Sequence, residues 1–188
     1  MDKKEFWFIV GSQELYGPQV LKTVEKRSKE MASSISKKTI FPLVFKTIVK
    51  SNEDCIKIIK QANYDDNCLG IVTWCHTFSP SKMWINGLKL LQKPWCHFAS
   101  QYHKDIPNKE IDMDFMNLNQ AAHGDREHGF IGARLRLARK IIVGHYQDND
   151  ATASLDKWMR AAYGYAISQS LNVIRFGDNM RNVAVTEG

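Results

Sequence analysis

Short apolar segments alternate along the whole chain with longer amphipathic ones. The first, residues 6–10, is aromatic and β-branched throughout and ends at Gly11, which is typical of a strand buried on both faces. Strands that alternate with helices at this spacing pair in parallel through right-handed crossovers. We therefore predict an α/β fold, a parallel sheet with helices on both faces (Rossmann/flavodoxin-like). The predicted strands are residues 6–10, 42–49, 69–74, 94–98, 140–144 and 173–176.

Helix-start signals follow the first three predicted strands. Pro18 suits a first helical position, because its missing N–H would have no partner there in any case. Ser51, followed by acidic residues, is typical of an N-cap, and Ser79 with Pro80 opens a third helix. A further amphipathic helix is predicted over residues 155–171.

The region 112–132 concentrates polar side chains between apolar flanks, which is costly to bury and wasteful to expose. It is either a polar site shared with something else or an unusually polar helix between layers. We expect Asp114 to cap one long helix that runs to about Arg139. The polar residues are Gln120, His123, Asp125, Arg126, Glu127 and His128, and the predicted buried positions are Phe115, Met116, Leu118, Ala122, Ile131, Leu135 and Ala138.

Three glycines interrupt that helix. Gly124, Gly129 and Gly132 each weaken a helix by about 1 kcal/mol relative to alanine. Their repeated use indicates close approach of the backbone to another helix, a subunit or a ligand.

Composition excludes several classes of protein. With 44% hydrophobic and 24% charged residues in 188, the chain has ordinary globular composition, enough for one domain and the start of a second. The longest apolar run near the N-terminus, residues 6–10, is too short for a signal peptide or a membrane span. The four cysteines lack CxxC spacing and are expected to be buried thiols in a reducing compartment. We expect a soluble cytoplasmic chain.

The net charge of +6 does not by itself indicate nucleic-acid binding. The lysines recur on the polar sides of predicted helices without interleaved arginine and aromatic residues, which favours a solvated face. A nucleic-acid role would predict strongly salt-dependent binding of RNA or DNA.

Polar and aromatic residues follow the predicted strands. Ligands of parallel α/β sheets bind beyond the carboxyl ends of the strands, so these residues are expected along one edge. Amide and phenol groups there suit a neutral polyhydroxylated ligand. The residues are Gln13, Glu14 and Tyr16 after the first strand, His76, Thr77 and Phe78 after the third, and Gln101, Tyr102 and His103 after the fourth.

No complete catalytic set accompanies this edge. The sequence lacks GxGxxG, a P-loop and GxSxG, so dinucleotide, nucleoside triphosphate and serine-hydrolase sites are not supported. His123 and His128 are five residues apart, outside an HExxH pattern, and a metal held by this pair alone is not favoured. The adjacent pairs Cys75-His76 and Cys96-His97 have no nucleophile motif around them.

Four segments together nevertheless carry a specific resemblance. They are EFWFIVGSQELYGPQ, IVTWCHTFSPSKMWINGL, IDMDFMNLNQAAHGDREHGFIGAR and RFGDNMRNVAVTEG. The chain resembles, from residue 5 to 188, the N-terminal part of bacterial L-arabinose isomerases. The resemblance implies the N-terminal domain of the fucose/arabinose isomerase fold over residues 1–171, with residues 172–188 starting a truncated central domain.

Members of that family interconvert L-arabinose and L-ribulose through a metal-assisted ene-diol. The resemblance implies Mn²⁺ held by two Glu and two His in later domains, so this chain is expected to contain no metal ligands and no catalytic residues. The 188-residue chain alone is expected to be inactive. A stand-alone sugar-binding or regulatory module on a flavodoxin-like sheet is the alternative, and the coding sequence beyond Gly188 would distinguish the two.

The resemblance also implies roles for particular residues. Those matching the family's substrate-lining positions are Gln13, Leu15, Tyr16, Phe78 and Met180. Gln120 and His123 match residues presented to the active site of a neighbouring subunit in a homo-oligomer, which is a hexamer in the family. Glu14 stands where many members have His, which leaves the substrate preference open.

Overall fold

The residues described by a computed structural model of the chain are 4–106, 111–177, 180–183 and 185. They form an α/β unit with one parallel sheet of order β2-β1-β3-β4-β5. The strands are β1 (Glu5–Gly11), β2 (Leu43–Val49), β3 (Cys68–Cys75), β4 (Trp95–Ala99) and β5 (Lys140–Val143). The helices are α1 (Gly17–Ser36), α2 (Asn52–Tyr64), α3 (Ile85–Leu90), α4 (Met113–Asn117), α5 (Ala121–Arg134) and α6 (Asn149–Ser168), with 3₁₀ turns at Glu14–Tyr16 and Ser81–Trp84.

The strand order defines where a ligand can bind. The order 2-1-3-4-5 is that of flavodoxin-like sheets, and the chain changes direction of winding between β1 and β3. The loops after β1 and β3 therefore diverge to opposite faces, which opens a crevice at the carboxyl ends of these two strands.

Helices cover both faces of the sheet, as predicted. Along β1, Phe6 and Phe8 are buried against α1 and α6, whereas Trp7 and Ile9 are buried on the other face. That other face is covered by α2, α3 and α5. Because successive strand side chains point to opposite faces, an all-apolar strand can supply both cores.

Local signals placed most elements correctly. Ser51 caps α2, since its hydroxyl accepts a hydrogen bond from the Asp54 N–H at 3.1 Å. Pro18 lies in the first turn of α1. The helix predicted to begin at residue 155 begins at Asn149, six residues earlier. None of the helices described is both long enough and apolar enough to cross a bilayer.

The single long helix predicted from Asp114 to Arg139 is wrong. The structure has two helices, α4 and α5, separated by Leu118–Gln120, and the cap of α4 is Asp112, whose carboxylate accepts from the Phe115 N–H at 2.8 Å. The predicted burial is confirmed at Ile131 and wrong at Met116, Ala122 and Ala138, which are exposed. The buried residues of α5 are Ala121, Gly124, His128, Ile131 and Gly132.

Close backbone approach explains two of the three glycines in α5. A Cβ on Gly124 would lie 2.8 Å from the Cβ of Cys75, and one on Gly132 would lie 2.7 Å from Nε of Arg139. No atom of the described residues would lie within 4 Å of a Cβ on Gly129, so at that position close approach to a subunit or a ligand stays a prediction.

The strand predicted at residues 173–176 is also wrong. These residues have no regular secondary structure, and Val173 and Phe176 are 84% and 94% exposed. An apolar β-branched run forms a strand only where a neighbouring strand pairs with it. In the described residues, β5 is the last strand on its side of the sheet. The domain boundary after residue 171 stays a prediction.

Candidate functional site

The loops after β1 and β3 are tied together at the crevice. Gln13 Nε2 donates to the backbone oxygen of Phe78 at 2.9 Å, and the hydroxyls of Ser12 and Thr77 are hydrogen-bonded at 2.8 Å. Burial raises the pKa of Tyr16, while hydrogen bonds involving Phe78 and Gln13 oppose that shift. The sequence-predicted residues Gln13, Tyr16 and Phe78 therefore converge on one small region of the sheet edge.

An open groove of about 510 Å³ lies on one side of this region. Gln13 and Leu15 line it, and Leu15 projects with 85% of its surface exposed. Glu14 forms an ion pair with Lys50 in the same groove, and the hydrogen bond between them raises the pKa of Lys50. The groove thus offers an amide, an apolar side chain and a paired acid and base, with no cluster of carboxylates.

The other side of Phe78 faces α5. The rings of Phe78 and His123 meet edge to face, with centroids 6.2 Å apart and an interplanar angle of 89°. Together with Arg126, Glu127 and Phe130 they line a second open pocket of about 510 Å³. We call these five residues the α5 patch. Phe130 is 62% exposed, so the patch presents aromatic surface to solvent.

Two other predicted residues lie apart from these pockets. Gln120 directly precedes α5, and its amide donates to Asn117 Oδ1 at 3.4 Å. Met180 is 62% exposed, and neither the groove nor the α5 patch includes it among its lining residues. The structure therefore brings Gln13, Leu15, Tyr16, Phe78 and His123 to neighbouring positions and does not bring Met180 to them.

Tyr102, which was predicted to line the ligand edge after β4, contacts α1 and His76 instead. The Tyr102 hydroxyl donates to Glu30 at 2.6 Å, and its ring stacks over that of His76 at 6.4 Å. His76 is 1% exposed, and burial, reinforced by Arg27, lowers its pKa to about 3. His76 is therefore a neutral core residue on the α1 side rather than a ligand-facing group.

A buried polar cluster under α5 was missed by sequence reasoning. His97 Nε2 lies 2.9 Å from Asp125 Oδ1, and its Nδ1 lies 2.9 Å from the Thr73 hydroxyl. His128, fully buried, lies 3.3 Å from the same hydroxyl through Nε2. The alternation of side chains along the strands could have revealed this cluster from the sequence. Positions 73 and 75 of β3 face the same side as position 97 of β4, whereas adjacent residues such as Cys75 and His76 face opposite sides.

Burial dominates the electrostatics of this cluster. It raises the pKa of Asp125, an effect opposed by the hydrogen bond with His97, and lowers the pKa of His128 well below its ordinary value. It also raises the pKa of the Cys75 thiol. These are the shifts expected when charged forms lose their hydration. The cluster therefore holds a neutral His128 and a protonated Cys75 at neutral pH.

Cys75, His97 and Asp125 bring three metal-ligating atoms within 4.8 Å of one another. These donors do not fit a catalytic Mn²⁺, which prefers oxygen ligands and needs an open coordination position for substrate. Cys75 and His97 are 0% and 2% exposed, and Nε2 of His97 is already hydrogen-bonded to Asp125. No reaction step is therefore assigned to a metal at this cluster.

The chain is similar to known proteins over nearly its whole length. The family model described as L-arabinose isomerase N-terminal domain matches residues 1–170. L-arabinose isomerase 1 of Clostridium acetobutylicum is 55% identical over 188 residues, covering 99% of this chain and 38% of that protein. L-arabinose isomerase of Geobacillus stearothermophilus is 54% identical over 186 residues, covering 98% of this chain and 38% of that protein. The chain thus spans about two fifths of the length of these relatives.

Proposed function

Because the chain belongs to the L-arabinose isomerase family and matches its N-terminal domain, we propose that it supplies part of the sugar-binding wall of an L-arabinose isomerase. The stand-alone sugar-binding or regulatory module is not favoured, since the match to the N-terminal region of the isomerases covers nearly the whole chain. The reaction is aldose–ketose isomerisation of L-arabinose to L-ribulose through an ene-diol.

One observation carries the proposal at the level of residues. The hydrogen bond from Gln13 to the Phe78 backbone fixes a polar amide beside an aromatic ring at the crevice. Such a pairing suits a sugar, whose hydroxyls need amide or phenol partners while its C–H faces pack against rings. Tyr16 adds a phenol to the same region, and Leu15 adds an apolar surface. These groups bind and orient a sugar, and none of them is assigned a proton transfer.

The metal chemistry of the proposed reaction lies elsewhere. When bound, Mn²⁺ stabilises charge that develops on the sugar oxygens. In this proposal its ligands belong to other domains of the enzyme, as the family resemblance implies. In this proposal the Gln13 and Phe78 region closes one side of a site whose reacting groups are carried by the rest of the enzyme.

The proposal further includes a homo-oligomeric, cytoplasmic enzyme, and the α5 patch supports the first of these two properties. His123 and Phe130 lie exposed on the outer face of α5, where a neighbouring copy can approach. The resemblance implies that Gln120 and His123 lie at the active site of a neighbouring subunit. Aromatic and arginine side chains such as Phe130 and Arg126 are enriched at subunit interfaces.

Two enzymes test the proposal. The purified 188-residue chain, supplied with Mn²⁺ and free of host enzyme, is expected to give no conversion of L-arabinose to L-ribulose. A chimera that joins this chain to the remainder of the Geobacillus stearothermophilus isomerase is expected to be active. Within that chimera, Gln13→Ala is expected to raise KM, while the distant Gln169→Ala changes nothing. Activity of the isolated chain, or a folded and inactive chimera, would refute the proposal.

A further inference from the structure

The buried face of α5 is made largely of small residues. Its buried positions are Ala121, Gly124, His128, Ile131 and Gly132, of which Ile131 is the one large aliphatic residue. Small side chains let a helix approach a sheet closely but interlock weakly with it. The close fit of Gly124 on Cys75 sets the distance between α5 and the sheet, and the polar contacts beneath the helix add direction to that fit.

The hydroxyl of Thr73 has three partners in this layer. They are Nε1 of Trp95 at 2.9 Å, Nδ1 of His97 at 2.9 Å and Nε2 of His128 at 3.3 Å. A hydroxyl has one hydrogen to donate and two lone pairs, and an indole N–H can only donate. Trp95 therefore takes one lone pair, and one imidazole must donate to Thr73 while the other accepts from it.

Asp125 decides between the two arrangements. An ionised carboxylate only accepts, so His97 must carry its proton on Nε2, 2.9 Å from Asp125 Oδ1, and Nδ1 must accept from Thr73. His128 then donates from Nε2, and its Nδ1 remains a buried acceptor without a partner among the described residues. The reverse order would need a proton on Asp125 or a second proton on His97, and in either case it would bury the His128 N–H without an acceptor, which is the rarer defect in proteins.

A second carboxylate of α5 also reaches the rest of the fold. Glu127 Oε2 accepts from the backbone N–H of Ser81 at 2.6 Å, at the 3₁₀ turn that follows Phe78. Asp125 thus anchors α5 to β4, and Glu127 anchors it to the loop after β3. His123 is carried by α5, and Phe78 is carried by the loop after β3. The anchored helix therefore holds the two rings against each other.

We propose that Asp125 is a positioning residue, which through its hydrogen bond with His97 sets the rotation of α5 and so places His123 against Phe78. It touches neither pocket and acts through the helix that it orients. The catalytic consequence rests on the proposed function, because the α5 patch matters to the reaction only if it faces a sugar site. The structural consequence stands on the contacts of this chain alone.

The structural part is tested by NMR on the isotope-labelled 188-residue chain. Long-range ¹H–¹⁵N correlations are expected to show a proton on Nε2 of His97 and none on its Nδ1, and an NOE is expected between the rings of His123 and Phe78. Asp125→Leu, which removes the acceptor at similar volume, is expected to abolish this NOE while the β-sheet amide shifts stay in place. Asp125→Asn, which keeps Oδ1 as an acceptor, is expected to preserve both signals.

Ser51→Ala is the matched control, since it destabilises α2 on another part of the fold and should leave the NOE unchanged. An intact NOE in folded Asp125→Leu, or its loss in the control at equal stability, overturns the proposal. If Asp125→Leu does not fold, the wild-type spectrum decides, because an Nδ1-protonated His97 contradicts the assigned role of Asp125.

The catalytic part is tested in the chimera. Asp125→Leu is expected to lower kcat/KM for L-arabinose by about tenfold or more, because misplacing a substrate-positioning group by about an ångström has effects of that order. Asp125→Asn is expected to stay close to the parent chimera. An inactive chimera refutes the proposed function and leaves the NMR result untouched, so the two failures are distinguishable. Equal activity of the parent and Asp125→Leu chimeras overturns the catalytic part alone.

Discussion

Two glycines of α5 give opposite predictions for the same substitution. Replacing a helical glycine with alanine ordinarily stabilises a protein by about 1 kcal/mol. Gly129 faces open space, so Gly129→Ala should show that gain. At Gly124 the new methyl would lie 2.8 Å from Cβ and 3.0 Å from Sγ of Cys75, a fully buried residue of β3. Either α5 or β3 must move to relieve that overlap.

The expected magnitudes follow from these contacts. Overpacking a core costs about 1–3 kcal/mol. The atom overlapped at Gly124 belongs to a strand rather than to a flexible side-chain end, so the upper part of that range applies. After subtraction of the helix-propensity gain, Gly124→Ala should lose about 2 kcal/mol. The two variants should therefore differ by about 3 kcal/mol in the free energy of unfolding.

Urea unfolding and thermal melts measure this difference. For a chain of this size, 1 kcal/mol corresponds to about 2–4 °C in Tm, so Gly129→Ala should melt higher and Gly124→Ala lower than the parent. An unchanged m-value would show that the compactness of the denatured state is the same in all three proteins. Equal stability of the two variants would refute the packing of α5 on Cys75 and, with it, the placement of Asp125 against the buried His97.

Three further predictions concern other parts of the fold. His76 has a folded pKa of about 3, below the ordinary value of 6.5, so the unfolded state binds more protons between these values and stability falls as pH falls below 6.5. The contribution of His76 to this loss of stability is about 2 kcal/mol at pH 5, and His128 adds to it. His76→Leu should flatten the dependence of urea midpoints on pH, and an unchanged dependence would contradict this. Ser51→Ala should cost about 1 kcal/mol by removing the α2 cap, and Ser51→Asp should restore most of it in the same melts. The four cysteines are buried, and burial raises the pKa of each thiol, so Ellman's reagent should label them only after denaturation; rapid labelling of the native chain would show that the sheet is open.

Much of the candidate site could be predicted because local order places it. A loop residue that directly follows a parallel strand must lie at the carboxyl end of the sheet, whichever strands are neighbours. Gln13 and Phe78 therefore reached the same edge in the prediction and in the structure. His76 was assigned to that edge for the same reason and lies beneath it instead, because its side chain points to the α1 face.

The sequence alone determined the order and type of most elements, the five strands of the sheet among them, since apolar periodicity, Ser51 and Pro18 act within a few residues of themselves. Only the tertiary structure decided which elements touch. The break between α4 and α5 depends on the fit of small residues such as Gly124 against β3, which helix periodicity does not encode. The meeting of His97 with Asp125 depends on strand order and on which face each strand side chain occupies. These properties are non-local. They separate the polar residues of α5 into two groups, the exposed α5 patch and the inner hydrogen bond of Asp125 with His97.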